Sequence, residues 1–127
     1  MNIKLPEKAA AIAKGKPFSP VIEISDFDRI AIMSGQTAQD KNGNLIEGDI
    51  KSQTKNTILN CIEKLEMAGY TLEDVFKVDI YMETFKDWKG MNEIYMEMMP
   101  DPKPARLALQ VKLDPGYLIE IQMWAAK

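Results

Sequence analysis

Residues 49–69 read DIKSQTKNTILNCIEKLEMAG and residues 75–82 read VFKVDIYM. In the first stretch Ile50, Thr54, Thr57, Ile58, Cys61, Ile62, Leu65 and Ala68 recur at three- and four-residue spacing, the stripe of a helix with one buried face. Asp49 is a cap for its first turn, and Gly69 a left-handed stop after its last. In the second stretch Phe76, Val78, Ile80 and Met82 alternate with Lys77, Asp79 and Tyr81, the period of a strand covered on one side. An amphipathic helix followed at once by a half-buried strand points to an α+β fold.

Upstream, residues 21–24 and 29–33 are β-rich and flank Ser25-Asp26-Phe27-Asp28, which predicts a hairpin. Asn42-Gly43-Asn44 marks a turn before the short run Leu45-Ile46. Downstream, a second helix over 87–99 is stopped by Pro100 and the proline-rich residues after it. Strands over 105–111 and 118–125 follow, joined by a segment containing Asp114-Pro115-Gly116, which predicts an antiparallel hairpin. The expected order is β-β-α-β-α-β-β. It describes one domain over residues 1–127, a mixed sheet with two helices on one face.

The composition excludes several chemistries. The chain has 127 residues, 46% apolar and 28% charged, which suits one compact soluble domain. It has no histidine and one cysteine, Cys61. A Ser-His-Asp triad, a His-ligated metal, a CxxC pair and an intrachain disulfide are therefore impossible. Cys61 falls on the apolar stripe and reads as a small buried hydrophobe. A net charge of -3 argues against a nucleic-acid backbone as partner. The longest uncharged run, Ile30 to Gln39, is far short of the roughly 20 apolar residues of a membrane span. The expectation is a soluble cytoplasmic protein in a reducing compartment.

The last two strands carry the unusual charges. On 105–111, Leu107, Leu109 and Val111 share a face opposite Arg106, Ala108 and Gln110. On 118–125, Ile119, Ile121 and Met123 face away from Glu120, Gln122 and Trp124. The expectation is that the leucine and isoleucine sets pack on the helices and leave Arg106 and Glu120 on a semi-polar face. Arg106 is one of only two arginines among sixteen basic residues. Its planar fork suits a carboxylate bidentately where lysine does not. The alternative is an exposed strand arginine paired with a surface acid, and a solvated carboxylate at Glu120. In a hairpin centred on Asp114-Pro115-Gly116, Arg106 pairs near Trp124 and Glu120 near Gln110. The two charges are then too far apart for one small ligand within a subunit, so a shared site would be built across an interface.

Short motifs along nearly the whole chain resemble one family. They are Gly15-Lys16-Pro17-Phe18-Ser19, Ile32-Met33-Ser34-Gly35-Gln36, Ala68-Gly69, Val75-Phe76-Lys77-Val78, Met91-Asn92-Glu93-Ile94-Tyr95, Pro104-Ala105-Arg106 and Ile119-Glu120-Ile121. Their order and spacing resemble the RidA/YjgF family of reactive-imine deaminases. The resemblance implies a chorismate-mutase-like α+β fold, a homotrimer with ligand clefts between subunits, and no metal or cofactor. It implies hydrolysis of 2-imino acids, 2-aminoacrylate and 2-iminobutanoate, to 2-keto acids and ammonia. Carried onto this chain, Arg106 holds the substrate carboxylate, the Gly35 N–H adds a donor, and Glu120 orients or activates water. Asn92 and Phe18 line the cleft.

Three departures from the pattern stand out. Phe18 replaces the family's usual aromatic hydroxyl, Leu107-Ala108 replace the small or hydroxyl/thiol residues after the arginine, and the last loop is one residue shorter. Two other readings compete with a hydrolase. One is a non-catalytic trimer that binds small carboxylates. The other is a ribonuclease, against which the missing histidine and the net negative charge both argue.

Overall fold

The computed structural model describes residues Met1–Lys127. A two-stranded ribbon joins β1 (Asn2–Lys4) to β2 (Glu23–Ser25), with the short helix α1 (Glu7–Ala13) between them. The main sheet contains β3 (Ile30–Ile32), β4 (Val75–Met82), β5 (Ala105–Gln110) and β6 (Ile119–Ala126), in the order β3-β6-β4-β5. Two helices, α2 (Ile50–Met67) and α3 (Trp88–Met98), cover one face. The result is α+β with a mixed sheet. No helix is long and apolar enough to cross a membrane.

Local signals that needed no partner formed as expected. Asp49 caps α2 by accepting from the Ser52 N–H at 2.9 Å, and Gly69 follows the helix with φ +83°. In the 40–44 turn the Asp40 carboxylate accepts from the backbone N–H of Asn42 and Asn44, with Gly43 at φ +81°. Ile58, Cys61 and Leu65 of α2, Met91 and Tyr95 of α3, Val78, Ile80 and Met82 of β4, and Ile119, Ile121 and Met123 of β6 form one buried cluster.

Pairings between distant segments depart from the sequence reading. The hairpin expected from 21–24 and 29–33 does not form. β2 pairs with the N-terminal strand β1, whereas β3 pairs antiparallel with β6. The strand β1 and helix α1 were not foreseen, because three and seven residues carry too little periodicity to register. The final hairpin is also absent. β5 runs parallel to β4, with α3 as the crossover between them, and β6 lies antiparallel on the other side of β4. The Asp114-Pro115-Gly116 turn does form, with the Tyr117 N–H donating to the Asp114 carbonyl at 3.1 Å. It serves a loop that carries the chain across the end of β4. That loop is held by Val111 N–H to Met82 O at 2.9 Å and Glu83 N–H to Leu118 O at 3.2 Å.

Parity along two strands changes accordingly. A bulge between Val75 and Lys77 puts Val75 into the core and leaves Phe76 only half-buried. On β5 the faces are the reverse of the expectation. Arg106 sits opposite Val78, whose side chain is in the core, so Arg106 and Ala108 turn toward the helices. Leu107 and Leu109 are 50% and 43% exposed on the outer face, which also carries Ile30 and Ile32 at 49% and 63%. This uncovered apolar face is the kind of surface that soluble proteins keep for association.

Candidate functional site

The candidate residues fall into two groups, candidate half-sites at different places on the sheet. The first is built around Arg106 on the edge strand β5. Its guanidinium passes beneath α3, where Nη1 donates to Asn92 Oδ1 at 2.7 Å. The group lies 4.9 Å from the ring centre of Tyr95 and 5.3 Å from that of Trp88, a cation–π box that fixes its plane. Burial lowers the pKa of Arg106 from its ordinary value, and the neighbouring Tyr95 partly offsets this. The group stays protonated. No carboxylate pairs with it: the chain's ion pairs all involve lysines. A half-buried arginine without a counter-ion differs from the surface-paired arginine of the alternative reading. Phe18 stands nearby, lining with Trp88 and Asn92 an open groove of about 580 Å³.

The second half-site is built around Glu120 on β6. The segment after β3 bends back onto β6 through a single bridge, with Gln36 and Ile121 exchanging backbone hydrogen bonds at 2.8 and 2.9 Å. This draws Gly35 over the Glu120 side chain so closely that a Cβ at position 35 would strike the carboxylate. Close approach, not backbone conformation, requires glycine here. The Gly35 N–H donates to no group of the chain. The Glu120 carboxylate has neither an ion pair nor a hydrogen bond within the chain. It opens with Gly35 into a cavity of about 170 Å³.

The structure therefore brings Arg106, Asn92 and Phe18 into one region and Gly35 and Glu120 into another. It does not join the two within one chain. The register expected for a hairpin is replaced: Arg106 lies opposite Val78 and Glu120 opposite Tyr81. Residues opposite one another share a face, so Arg106 takes the helix side with core residue Val78. Glu120, between core residues Ile119 and Ile121, takes the other side. The charges are on opposite faces of the sheet.

Several residues at the second half-site were not anticipated. Tyr117 and Gln39 line its cavity, with Gln39 Nε2 donating to the Tyr117 hydroxyl at 3.1 Å. Gln53 and Asn60 hold the loops that carry them. The available signal was a pair of amides seven residues apart beside the apolar stripe of α2, a spacing that keeps both on one side of the helix. No three His, Cys, Asp or Glu side chains are grouped to hold a metal ion.

Residues 8–127 match the family model described as endoribonuclease L-PSP. The chain belongs to this family, the RidA/YjgF family of the sequence resemblance. Among curated members, it is 40% identical to a RutC family protein of Pyrococcus horikoshii, over 88% of this chain and 90% of that protein. It is 37% identical to the mitochondrial protein mmf2 of Schizosaccharomyces pombe, over 98% of each chain. Among solved structures, the Rid family protein YyfB of Yersinia pestis superposes with TM-score 0.80 at 28% identity, covering 100% of both chains. RidA of a Psychrobacter species superposes with TM-score 0.72 at 29% identity, covering 86% of this chain and 87% of that one.

Proposed function

We propose that this L-PSP family member hydrolyses 2-imino acids to 2-keto acids and ammonia, in clefts where Arg106 of one subunit meets Glu120 of another. The supporting observation is Arg106 itself, a preorganised, half-buried guanidinium with its fork unclaimed by any carboxylate of its own chain. A substrate carboxylate supplies the missing counter-ion through two charge-assisted hydrogen bonds. Asn92 fixes one guanidinium nitrogen, Phe18 flanks the entry, and the free Gly35 N–H gives a further donor at the carboxylate.

The chemistry asks little more of the protein. Glu120 takes a proton from water as its oxygen attacks the C=N carbon, forming a carbinolamine. The substrate reacts as its protonated iminium form, so this carbinolamine is neutral. Glu120 then gives that proton to nitrogen as the C–N bond breaks, and takes the hydroxyl proton as the C=O bond forms. The products are the keto acid and ammonia, with the iminium's extra proton leaving on ammonia as ammonium, so atoms and charge balance. The imine carbon is already electrophilic, and orienting water against it is the principal task. For 2-iminobutanoate the product is 2-ketobutanoate, and for 2-aminoacrylate, through its imine tautomer, it is pyruvate.

The same geometry supports an assembled site. Charges on opposite faces of one sheet meet only when a second copy brings its Glu120 face to the first copy's Arg106 edge. The uncovered leucines and isoleucines of the outer face supply an apolar contact for this. A homotrimer is the assembly we infer, with a small imino or keto acid as ligand and no cofactor. Cytoplasmic location belongs to this reading; two relatives carry mitochondrial names.

A coupled assay tests the reaction. Threonine dehydratase releases 2-iminobutanoate, and keto-acid formation is followed with wild type, Arg106→Ala and Glu120→Gln. Wild type should accelerate hydrolysis, and Arg106→Ala should lose about 10²–10³-fold in kcat/KM. Binding of 2-keto acids by folded wild type without turnover would favour the non-catalytic carboxylate-binding reading, which the missing hydroxyl at Phe18 supports. RNA cleavage that persists through stringent purification would favour the ribonuclease reading.

A further inference from the structure

The Glu120 cavity is built for hydrogen bonding. Besides Gly35 and Glu120 it is lined by Thr37, Gln39, Asp114 and Tyr117, and its volume is about 170 Å³. At roughly 30 Å³ per water molecule, that admits a few waters or a short side chain of comparable size. Tyr117 accepts the Gln39 amide hydrogen at 3.1 Å. A phenol has one proton to give, and this contact leaves it free for a group in the cavity.

The placement of this pair is fixed from beneath. The buried amide of Gln53 donates to the Gly116 carbonyl at 2.8 Å and accepts from the Leu118 N–H at 2.9 Å, so it brackets Tyr117 on both sides. Two turns further along the same side of α2, Asn60 donates to the carbonyls of Thr37 and Gln39 at 2.8 and 2.9 Å. Both partners of the Tyr117–Gln39 contact thus stand on backbone clamped by one rigid helix. A preorganised polar pocket of this kind discriminates strongly against substrates that leave its donors unpaired. Its two carboxylates, Asp114 and Glu120, meet no lysine or arginine of their own chain in the lining, so a second carboxylate on the substrate, beyond the one that Arg106 of the neighbouring subunit holds, is repelled.

We propose that Tyr117, Gln39 and Thr37 form a side-chain subsite that selects 2-imino acids bearing a neutral hydroxyl or amide over alkyl or anionic ones. This rests on the hydrolase reading and specifies its substrate class. Phe18 has no hydroxyl to give at the Arg106 side, and Tyr117 supplies one at the Glu120 side.

The test uses imines released in place by an L-amino-acid oxidase from homoserine, norvaline and aspartate. The first two present a hydroxyl and a methyl in nearly the same volume. Wild type should favour the homoserine imine over the norvaline imine about tenfold in kcat/KM, with the aspartate imine slowest. Tyr117→Phe should bring the first ratio close to one. Gln39→Met, at an exposed side chain, should move it the same way and stands in if Tyr117→Phe does not fold. Equal rates for the hydroxyl and methyl imines, or an unchanged ratio in both variants, would overturn the subsite while leaving the hydrolase reading intact. Failure to accelerate any imine would overturn both.

Discussion

Arg106 and Glu120 lie on opposite faces of the same sheet, Arg106 level with Val78 on the helix side and Glu120 level with Tyr81 on the open side. The arginine is enclosed by α3 and the glutamate is uncovered by any helix. No side-chain rotation brings them together, because the hydrogen-bonded sheet lies between.

This relationship yields a complementation experiment. Arg106→Ala and Glu120→Gln should each be inactive as pure oligomers. Unfolded together in equal amounts and refolded, they should recover about a quarter of wild-type activity, since a random cyclic assembly pairs an intact arginine with an intact glutamate at that frequency. No recovery in mixed oligomers verified by mass would place both residues of a working site in one chain.

Gly35 is predicted to be sensitive for reasons of space. Gly35→Ala places a methyl against the Glu120 carboxylate, so the carboxylate must turn away from the cavity. We expect kcat/KM to fall by about tenfold to a hundredfold. Circular dichroism and Tm should stay near wild type, because the segment is exposed. Full activity in Gly35→Ala would show that Glu120 does not work from this position.

Tyr95 carries a buried hydroxyl with no hydrogen-bond partner in the chain. Such a group loses hydration on folding and gains nothing in return. Tyr95→Phe should therefore be neutral or stabilising by up to about 1 kcal/mol in urea unfolding. Its ring still packs against Arg106. A loss above that size would reveal a partner that forms only in the assembled protein.

Cys61 predicts an alkaline weakness. Burial raises its thiol from the ordinary 9.0 to about 12. Below pH 9 both folded and unfolded states hold the proton, and the contribution to stability is complete. Between those values the unfolded state ionises first and binds fewer protons, so stability falls as pH rises, by about 1.4 kcal/mol per unit. Cys61→Ala should show a shallower decline over this window in chemical denaturation. Native Cys61 should also resist aromatic-disulfide reagents until denaturant is added. Identical pH slopes in the two proteins would refute the account.

How much was legible depended on the range of the interaction. The helix after Asp49, the strand over 75–82 and the proline-stopped second helix were readable, because each carries its own period or cap. The candidate residues were readable as types: a rare arginine, a glutamate in a strand, a glycine in a short motif. Their relative positions were not. Reading 105–111 and 118–125 as a hairpin put Leu107 in the core and Arg106 outside, whereas pairing with β4 reverses both. Tyr117 stayed hidden in a turn, since only contact with Gln39 from a distant loop gives it a place in the cavity.

The sequence by itself determined the α+β class, the absence of histidine and disulfide chemistry, the family and the candidate charges, because composition, periodicity and capping act within a few residues of the chain. Tertiary structure alone decided which strands are neighbours, which face each charge takes, and that Arg106 and Glu120 lie on opposite faces of one sheet. Strand pairing is a choice among segments far apart in sequence, settled by burial of the whole sheet against α2 and α3. A change of partner or a one-residue slip reverses every side chain on a strand.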